Sequence, residues 1–376
     1  MLTKKSFLAL LLAISLLLAL PALAEDEDAS PKAAPNPAAD VAAIAGTLKR
    51  DAIPFQADYP ENPLIPGQSP TTGLPWEGTY APVLEVIDNA HAAHPHWGVK
   101  DADVMYQVPN AGKGATKLLA LFSDTAPQAA GGSRSARTPF VDVARGWGAA
   151  FAYVGYPDPA QGDKVSVPLK LREGKMTREQ LSFNLVSNNN YSGRISSYQS
   201  PHNLSVNIAS IKELALKNGA TFTPHPFLFA DEKPAGYQPA TFIEVRHYGE
   251  EAYKTIGNSA SYATYTYVPE ENAYHRENLS GPYVDRDAPG VSIPFANVIV
   301  LRTKFSYDKS YVQLNHLTGT GAAEIFTGGS YIPGGWFRKS LDDRTVFVDD
   351  KGQEISLQRG KTFIIITNDT SVVSFK

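Results

Sequence analysis

No cysteine occurs in the 376 residues. That absence excludes disulfides, thiolate-bound zinc, a thiol nucleophile and lipid attachment through an N-terminal cysteine, so stability has to come from packing. After the first two dozen residues no run approaches 18 consecutive apolar positions, so nothing later in the chain reads as a membrane helix. A basic excess is also missing: the formal charge is −4, where nucleic-acid binders usually carry the opposite sign. Phosphate-cradling P-loops, dinucleotide fingerprints and the G-x-S-x-G elbow are all absent. No cofactor is expected.

What is present begins with an export signal. Lys4 and Lys5 precede an apolar run, Ser6 to Leu20, and Ala22-Leu23-Ala24 forms an A-x-A cleavage site. The run is shorter than the roughly 20 residues that cross a bilayer, which favours a cleaved signal over a retained anchor. Cleavage after Ala24 removes two lysines and leaves a mature charge of −6. The mature chain is expected to be exported, extracytoplasmic, secreted or associated with the cell envelope, and not anchored through cysteine.

Four segments follow from texture: 1–24 signal peptide, 25–60 Ala/Pro-rich linker, 61–225 an α/β layered domain, and 226–376 a mostly antiparallel β-rich domain, α+β overall. A short helix through Ala38 to Lys49 is the alternative to a fully flexible linker. In the first domain, strands are predicted at Val83 to Ile87, Val104 to Gln107, Lys117 to Phe122 and Ala149 to Val154. Helices are predicted at Thr138 to Trp147, around Thr177 to Val186, and at Asn207 to Asn218, the last closed by Gly219. Strands in the second domain include Tyr262 to Tyr267, Asn297 to Leu301 and Phe363 to Thr367. Gly328-Gly329, Asp350-Lys351-Gly352 and Arg359-Gly360-Lys361 read as hairpin turns.

The most chemically suggestive stretch is Gly131-Gly132-Ser133-Arg134-Ser135-Ala136-Arg137-Thr138-Pro139, between a strand and a helix, with Thr138 as the expected N-cap. Helix-start amides beside two guanidinium groups and two hydroxyls suit phosphate, carboxylate or sulfate. The competing reading is a structural clamp, with Arg134 and Arg137 paired to acids such as Asp124 or Asp142. Asp88-Asn89 ends the first strand, where open α/β sheets place ligands. It can offer a carboxylate to a metal or a sugar hydroxyl, or simply form an Asx turn. His202-Asn203, before a helix, can aim into the same cleft. His91, His94 and His96 lack a helix beneath them and a paired acid, which suits a solvated turn better than a metal site; no metal-ligand set is assigned. Tyrosines and tryptophans of the β domain are read as core or cross-strand pairs before a glycan groove.

An ordered set of pieces resembles the YerB-like lipoprotein family, also called domain of unknown function 3048, exported proteins of Gram-positive bacteria. They are Asn62-Pro63-Leu64, Thr72-Gly73-Leu74-Pro75, Pro82 to Asn89, Ala102 to Tyr106, Gly132 to Arg137, Pro201-His202-Asn203, Asn297 to Val300, Gly335-Trp336 and Asp350 to Gly352. The resemblance implies an N-terminal α/β family domain followed by a separate β-rich one, and it brings no established activity with it. The chain departs from the family pattern in having no cysteine to acylate, Gln107 in place of Glu, Lys117 in place of Arg, and Tyr153 to Pro157 in place of a stretch that often carries His and ends in Ser.

Three functions stay in play. The first is a non-catalytic envelope module that binds an anionic envelope component, such as a glycan, or a partner protein, through Asp88, Asn89, Ser133, Arg134, Ser135, Arg137, His202 and Asn203. The second is a metal-dependent phosphotransferase acting on a pyrophosphate-linked lipid glycan, with Asp88 carrying the ion. Its strand, arginine loop and helix are loosely similar in order to the LytR-CpsA-Psr phosphotransferases. The third is an assembly protein with an exposed apolar patch.

Overall fold

Three strands carry the candidate site. β1 (Val83–Asp88), β2 (Val104–Ala111) and β3 (Ala115–Phe122) are antiparallel neighbours with β3 between the other two. The computed structural model describes residues 60–111, 115–187, 190–247, 261–314 and 317–376, so the expected signal peptide and all but residue 60 of the linker lie outside it. Beyond β1 the sheet continues in parallel through β4 (Ala150–Tyr153) and β5 (Ser182–Asn184). Beyond β2 it continues into the C-terminal half, through β6 (Asn297–Arg302), β7 (Gly319–Thr327), β8 (Ser330–Arg338) and β9 (Thr362–Thr367). The order is β8-β7-β6-β9-β2-β3-β1-β4-β5, with β9 parallel to both β6 and β2. Strand pairing therefore crosses the expected boundary at 225/226, and the architecture is α+β with mostly antiparallel sheets.

Both faces of this sheet are covered, which is why its central strands read as nearly unbroken apolar runs, VLEVID, ATKLLALF and TFIIIT. One face, with Val83, Ile87, Met105, Leu118 and Phe122, packs on helix Ile208–Lys217 and on a second sheet contributing Tyr265, Tyr274 and Phe295. The opposite face, with Leu84, Val86, Val104, Leu119 and Leu121, packs on helix α1 (Thr138–Gly146) through Phe140, Val141 and Ala144. Alternation along β1 thus puts Glu85 on the face of Val83 and Ile87, and Asp88 on the face of Leu84 and Val86.

Several local expectations need correction. The helix expected around Thr177 to Val186 does not form: 182–184 is strand β5, because Phe183 is drawn into the core beside β4. The helix nearby is α2 (Val167–Glu173), whose Ser166 hydroxyl accepts from Leu169 N and whose first turn holds Pro168. Seven residues are too few to display a helical period. The third helix, α3, is Ile208–Lys217, capped by Asn207, whose side chain accepts from Ser210 N. Gly328-Gly329 does join a hairpin, β7 to β8, but Arg359-Gly360-Lys361 does not, since Leu357–Gln358 pairs with Phe229–Ala230 while β9 pairs elsewhere.

Candidate functional site

The C-terminal end of β1 carries Asp88, whose side chain is fully buried. In the antiparallel register Asp88 lies opposite Lys117 of β3. Lys117 Nζ donates to Asp88 Oδ1, Arg134 Nε lies 2.9 Å from Oδ2, His202 Nδ1 lies 2.7 Å from Oδ2, and Ala90 N donates to Oδ1 at 3.2 Å. Three hydrogen bonds and the Arg134 ion pair thus occupy most of the roughly four lone-pair sites of this carboxylate. Burial alone would raise this carboxyl, but the Lys117 and Arg134 charges and the bonds from Lys117 and His202 outweigh it and hold it well below the usual carboxylate range. The Ala90 contact is the Asx turn, so the turn and the ionic hub coexist.

The loop that delivers Arg134 is wedged between β1 and β4. Asp88 N donates to Gly132 O, Arg134 N to Val86 O, Val154 N to Arg134 O, and Ala136 N to Gly155 O. Ser133 N donates to Leu204 O, which ties in the segment bearing His202. These bonds correct the expected role of the loop amides: those of Ser133, Arg134 and Ala136 are committed to strand-like pairing. Thr138 is not the cap either. Arg137 occupies that position without a side-chain cap bond, while the Thr138 hydroxyl reaches Lys164 O and Gln313 Oε1. Side chains are therefore the main groups that can meet an anion here, with the Ser135, Arg137 and Thr138 amides outside this pairing.

Those side chains are cations. Arg137 lies over the Tyr311 ring, 4.8 Å from its centroid, donates to Ala136 O at 2.7 Å, and has a buried Nε without a partner. Burial, with the nearby Arg134 charge adding to it and Tyr311 opposing, pushes its guanidinium down to about 10, still a full cation at neutral pH. Burial also lowers the Lys117 ammonium, partly offset by Asp88, with Arg134 and Arg137 contributing in the same direction as burial. Two cations thus pair with one carboxylate, and a third, Arg137, lies close enough to repel them. The clamp expected through Asp124 or Asp142 is not what holds them: Asp124 accepts from Ser69, Thr71 and Thr72, and Asp142 pairs with Lys170 at 3.1 Å. Arg134, Lys117 and His202 side chains remain 28%, 12% and 20% exposed, so the cluster opens to solvent.

Of the residues singled out from sequence, Asp88, Arg134 and His202 meet directly, and Arg137 lies close by. The others do not join them. Asn89 is buried and turned away, with Nδ2 donating to Thr116 Oγ1 and Oδ1 beside His94 Nε2. Ser133 donates to the buried Glu85 carboxyl. Asn203 faces Arg194 and Ile195 O, and Ser135 is half-buried. The expected solvated histidine turn needs correction: His91 pairs with Ser280, but His96 is fully buried, its Nε2 bonding Asp88 O and its ring 4.2 Å from that of His94. Among the described residues no group of three His, Cys, Asp or Glu is placed to hold a metal.

Two participants were missed as site residues, Lys117 and Glu85. The signal for both was a lone charge inside an apolar strand, which needs a partner when buried. Burial pushes the Glu85 carboxyl up to about 8, against the Ser133 bond, and its Oε2 has no partner.

Fold and site together define an α+β protein whose continuous mixed sheet ends in a buried carboxylate hub ringed by cations. The chain belongs to the DUF3048 family of proteins of unknown function, matching its N-terminal domain over residues 71–221 and its C-terminal domain over 254–364. It is 26% identical over 334 residues to "Putative lipoprotein YerB" of Bacillus subtilis (strain 168), covering 87% of this chain and 92% of that protein. The crystal structure of YerB from Bacillus subtilis matches with a TM-score of 0.66 and 24% identity, over 82% of this chain and 99% of that one. That likeness shows a shared fold.

Proposed function

We propose that this protein is an exported, non-catalytic module of the cell envelope that binds a phosphate or carboxylate group of an envelope component on Lys117, Arg134 and Arg137. The observation that carries the reading is the charge imbalance: Lys117 and Arg134 share the Asp88 carboxylate, and a third cation, Arg137, lies near both. Arg137 has no carboxylate partner among the described residues and a buried, unbonded Nε. An incoming anion would relieve the repulsion that the hub only partly cancels. Export rests on the Lys4 to Ala24 segment and on the relative's being called a lipoprotein, although this chain has no cysteine.

The test is calorimetric titration of residues 25–376 with inorganic phosphate and with phosphorylated envelope glycans, repeated on Arg134→Ala/Arg137→Ala. Saturable binding that the double variant loses while still folded supports the site. Equal binding by both proteins ends the proposal.

One observation keeps a phosphotransferase reading alive: Asp88 holds His202 through Nδ1, leaving Nε2 available as a proton acceptor. Its metal-assisted form has less support, because Asp88 is already paired with the Lys117 and Arg134 cations, which would repel an ion. Turnover of a pyrophosphate-linked lipid that disappears in His202→Gln is the result that would favour it.

A further inference from the structure

A cleft of about 280 Å3 opens at the C-terminal ends of β4 and β5, lined by Tyr153, Tyr156, Arg178, Ser182 and Asn184. Its position follows from the sheet. Tyr153 and Asn184 are register partners at the C-terminal ends of β4 and β5, as Phe151 and Ser182 are two residues earlier. Phe151 and Tyr153 belong to the same core face as Leu84 and Val86, and so to the face that carries Asp88 and Lys117. The backbone of Arg134 to Ala136 runs between, bonded to Val154 and Gly155, and Gly155 N donates to Asn184 Oδ1 at 3.0 Å. One inter-strand step, about 4.8 Å, therefore separates the Arg134 segment from the Tyr153 end of β4.

The chemistry of the cleft differs from that of its neighbour. Tyr156 presents a ring that is 37% exposed, 6.2 Å from the Tyr153 ring, as a flat apolar wall. Tyr153 Oη and Ser182 Oγ share a bond at 3.1 Å and still offer acceptor sites. Asn184 uses its Oδ1 on Gly155 N and Val186 N, which leaves its NH2 to donate. Arg178 is exposed and has no carboxylate partner among the described residues. An aromatic wall with donors and acceptors at its edge suits a ring that is apolar on its face and hydroxylated round its rim. The volume is just below the roughly 300–1,000 Å3 of drug-sized pockets, so it holds a single ring.

We infer that the Tyr153, Tyr156, Arg178 and Asn184 cleft takes the sugar ring of a phosphorylated glycan whose phosphate is held on Lys117, Arg134 and Arg137. The inference rests on the anion-binding reading above and adds the substrate class, a sugar phosphate. The Arg134 segment, one inter-strand step from β4, is the part of the anion site nearest the cleft, and Lys117 on β3 lies beyond β1.

The experiment uses residues 25–376 and calorimetric titration with four probes: inorganic phosphate, glucose 1-phosphate, N-acetylglucosamine 1-phosphate and free N-acetylglucosamine. At least one sugar phosphate should bind tenfold or more tightly than inorganic phosphate. Tyr156→Ala and Arg178→Ala should each erase that advantage and leave phosphate affinity within twofold, whereas Arg134→Ala should weaken all phosphorylated probes. Sugar phosphates and phosphate binding alike would overturn the cleft assignment and leave the anion site standing. Tyr156-dependent binding of the free sugar, with no phosphate binding, would sink the anion reading and keep the cleft as a glycan site. No binding of any probe overturns both. Circular dichroism of each variant confirms that a loss is not unfolding.

Discussion

Asp88 and Lys117 face each other directly across the β1·β3 pair, and the ammonium donates to the carboxylate its register places opposite. Register in a sheet buried on both faces is tightly specified, since slipping β1 by one residue would send Asp88 to the opposite core, away from Lys117. The pair thus does two things at once: it neutralises a charge at the end of β1 and fixes the cation nearest the Arg134 loop.

Replacing Asp88 by asparagine should destabilise the fold by about 3–5 kcal/mol, the usual cost of leaving buried charges uncompensated. The folded pKa of Asp88 is depressed, so its contribution is present above the unfolded value near 4 and is lost as pH falls below it. Urea unfolding from pH 3 to 6 should show a steep acid limb in the wild type and a shallower one in Asp88→Asn.

Glu85 predicts the opposite trend. Its folded pKa of about 8 lies above the ordinary 4.5, so the folded state keeps a proton that the unfolded chain releases. Its stabilisation is full below about pH 4.5 and declines as pH rises towards 8, by up to about 1.4 kcal/mol per pH unit. Glu85→Gln should flatten that part of the stability profile between pH 5 and 8. An unchanged slope in the variant would mean that Glu85 is ionised in the native state.

Lys117→Met should weaken phosphate binding roughly 10- to 100-fold, the range expected when one charge-assisted bond is lost. Lys117→Arg should keep most of the affinity, since the cation and its bond to Asp88 can both be retained. Isothermal titration at two salt concentrations checks this, because the contrast should narrow as exposed charges are screened.

Asn297, at the start of β6, joins β6, β7 and β9. Its Nδ2 donates to Gln358 O and Thr362 Oγ1, and its Oδ1 accepts from Thr327 Oγ1 and Gln358 N. Asn297→Asp replaces both donors with acceptors at the same size and should cost about 2–4 kcal/mol at neutral pH, by leaving a buried carbonyl facing a charge. Chemical denaturation at pH 7 and pH 4 measures it, with a smaller loss expected at pH 4, where the new carboxyl can regain a proton.

Much of the secondary structure is legible because its causes are local. Strands β1, β3 and β9 announce themselves as apolar runs, α3 by Ile208, Ile211, Leu214 and Leu216 between Asn207 and Gly219, although Leu216 is exposed and Ala215 takes the buried place, and the β7–β8 turn by Gly328-Gly329. The convergence of Asp88, Arg134 and His202 was also within reach, because strand ends and the loops that follow them collect at one sheet edge. Pairing partners were not. Alternation along a strand gives the face of each side chain but not the neighbour across the ladder, so the Asp88–Lys117 register and the insertion of β9 between β6 and β2 came only with the tertiary fold. The same holds for direction within a motif. Adjacent residues of a strand point to opposite faces, so Glu85 and Asp88 part company along β1. Ser133 and Asn203, one residue from Arg134 and His202, bond away from the hub they flank.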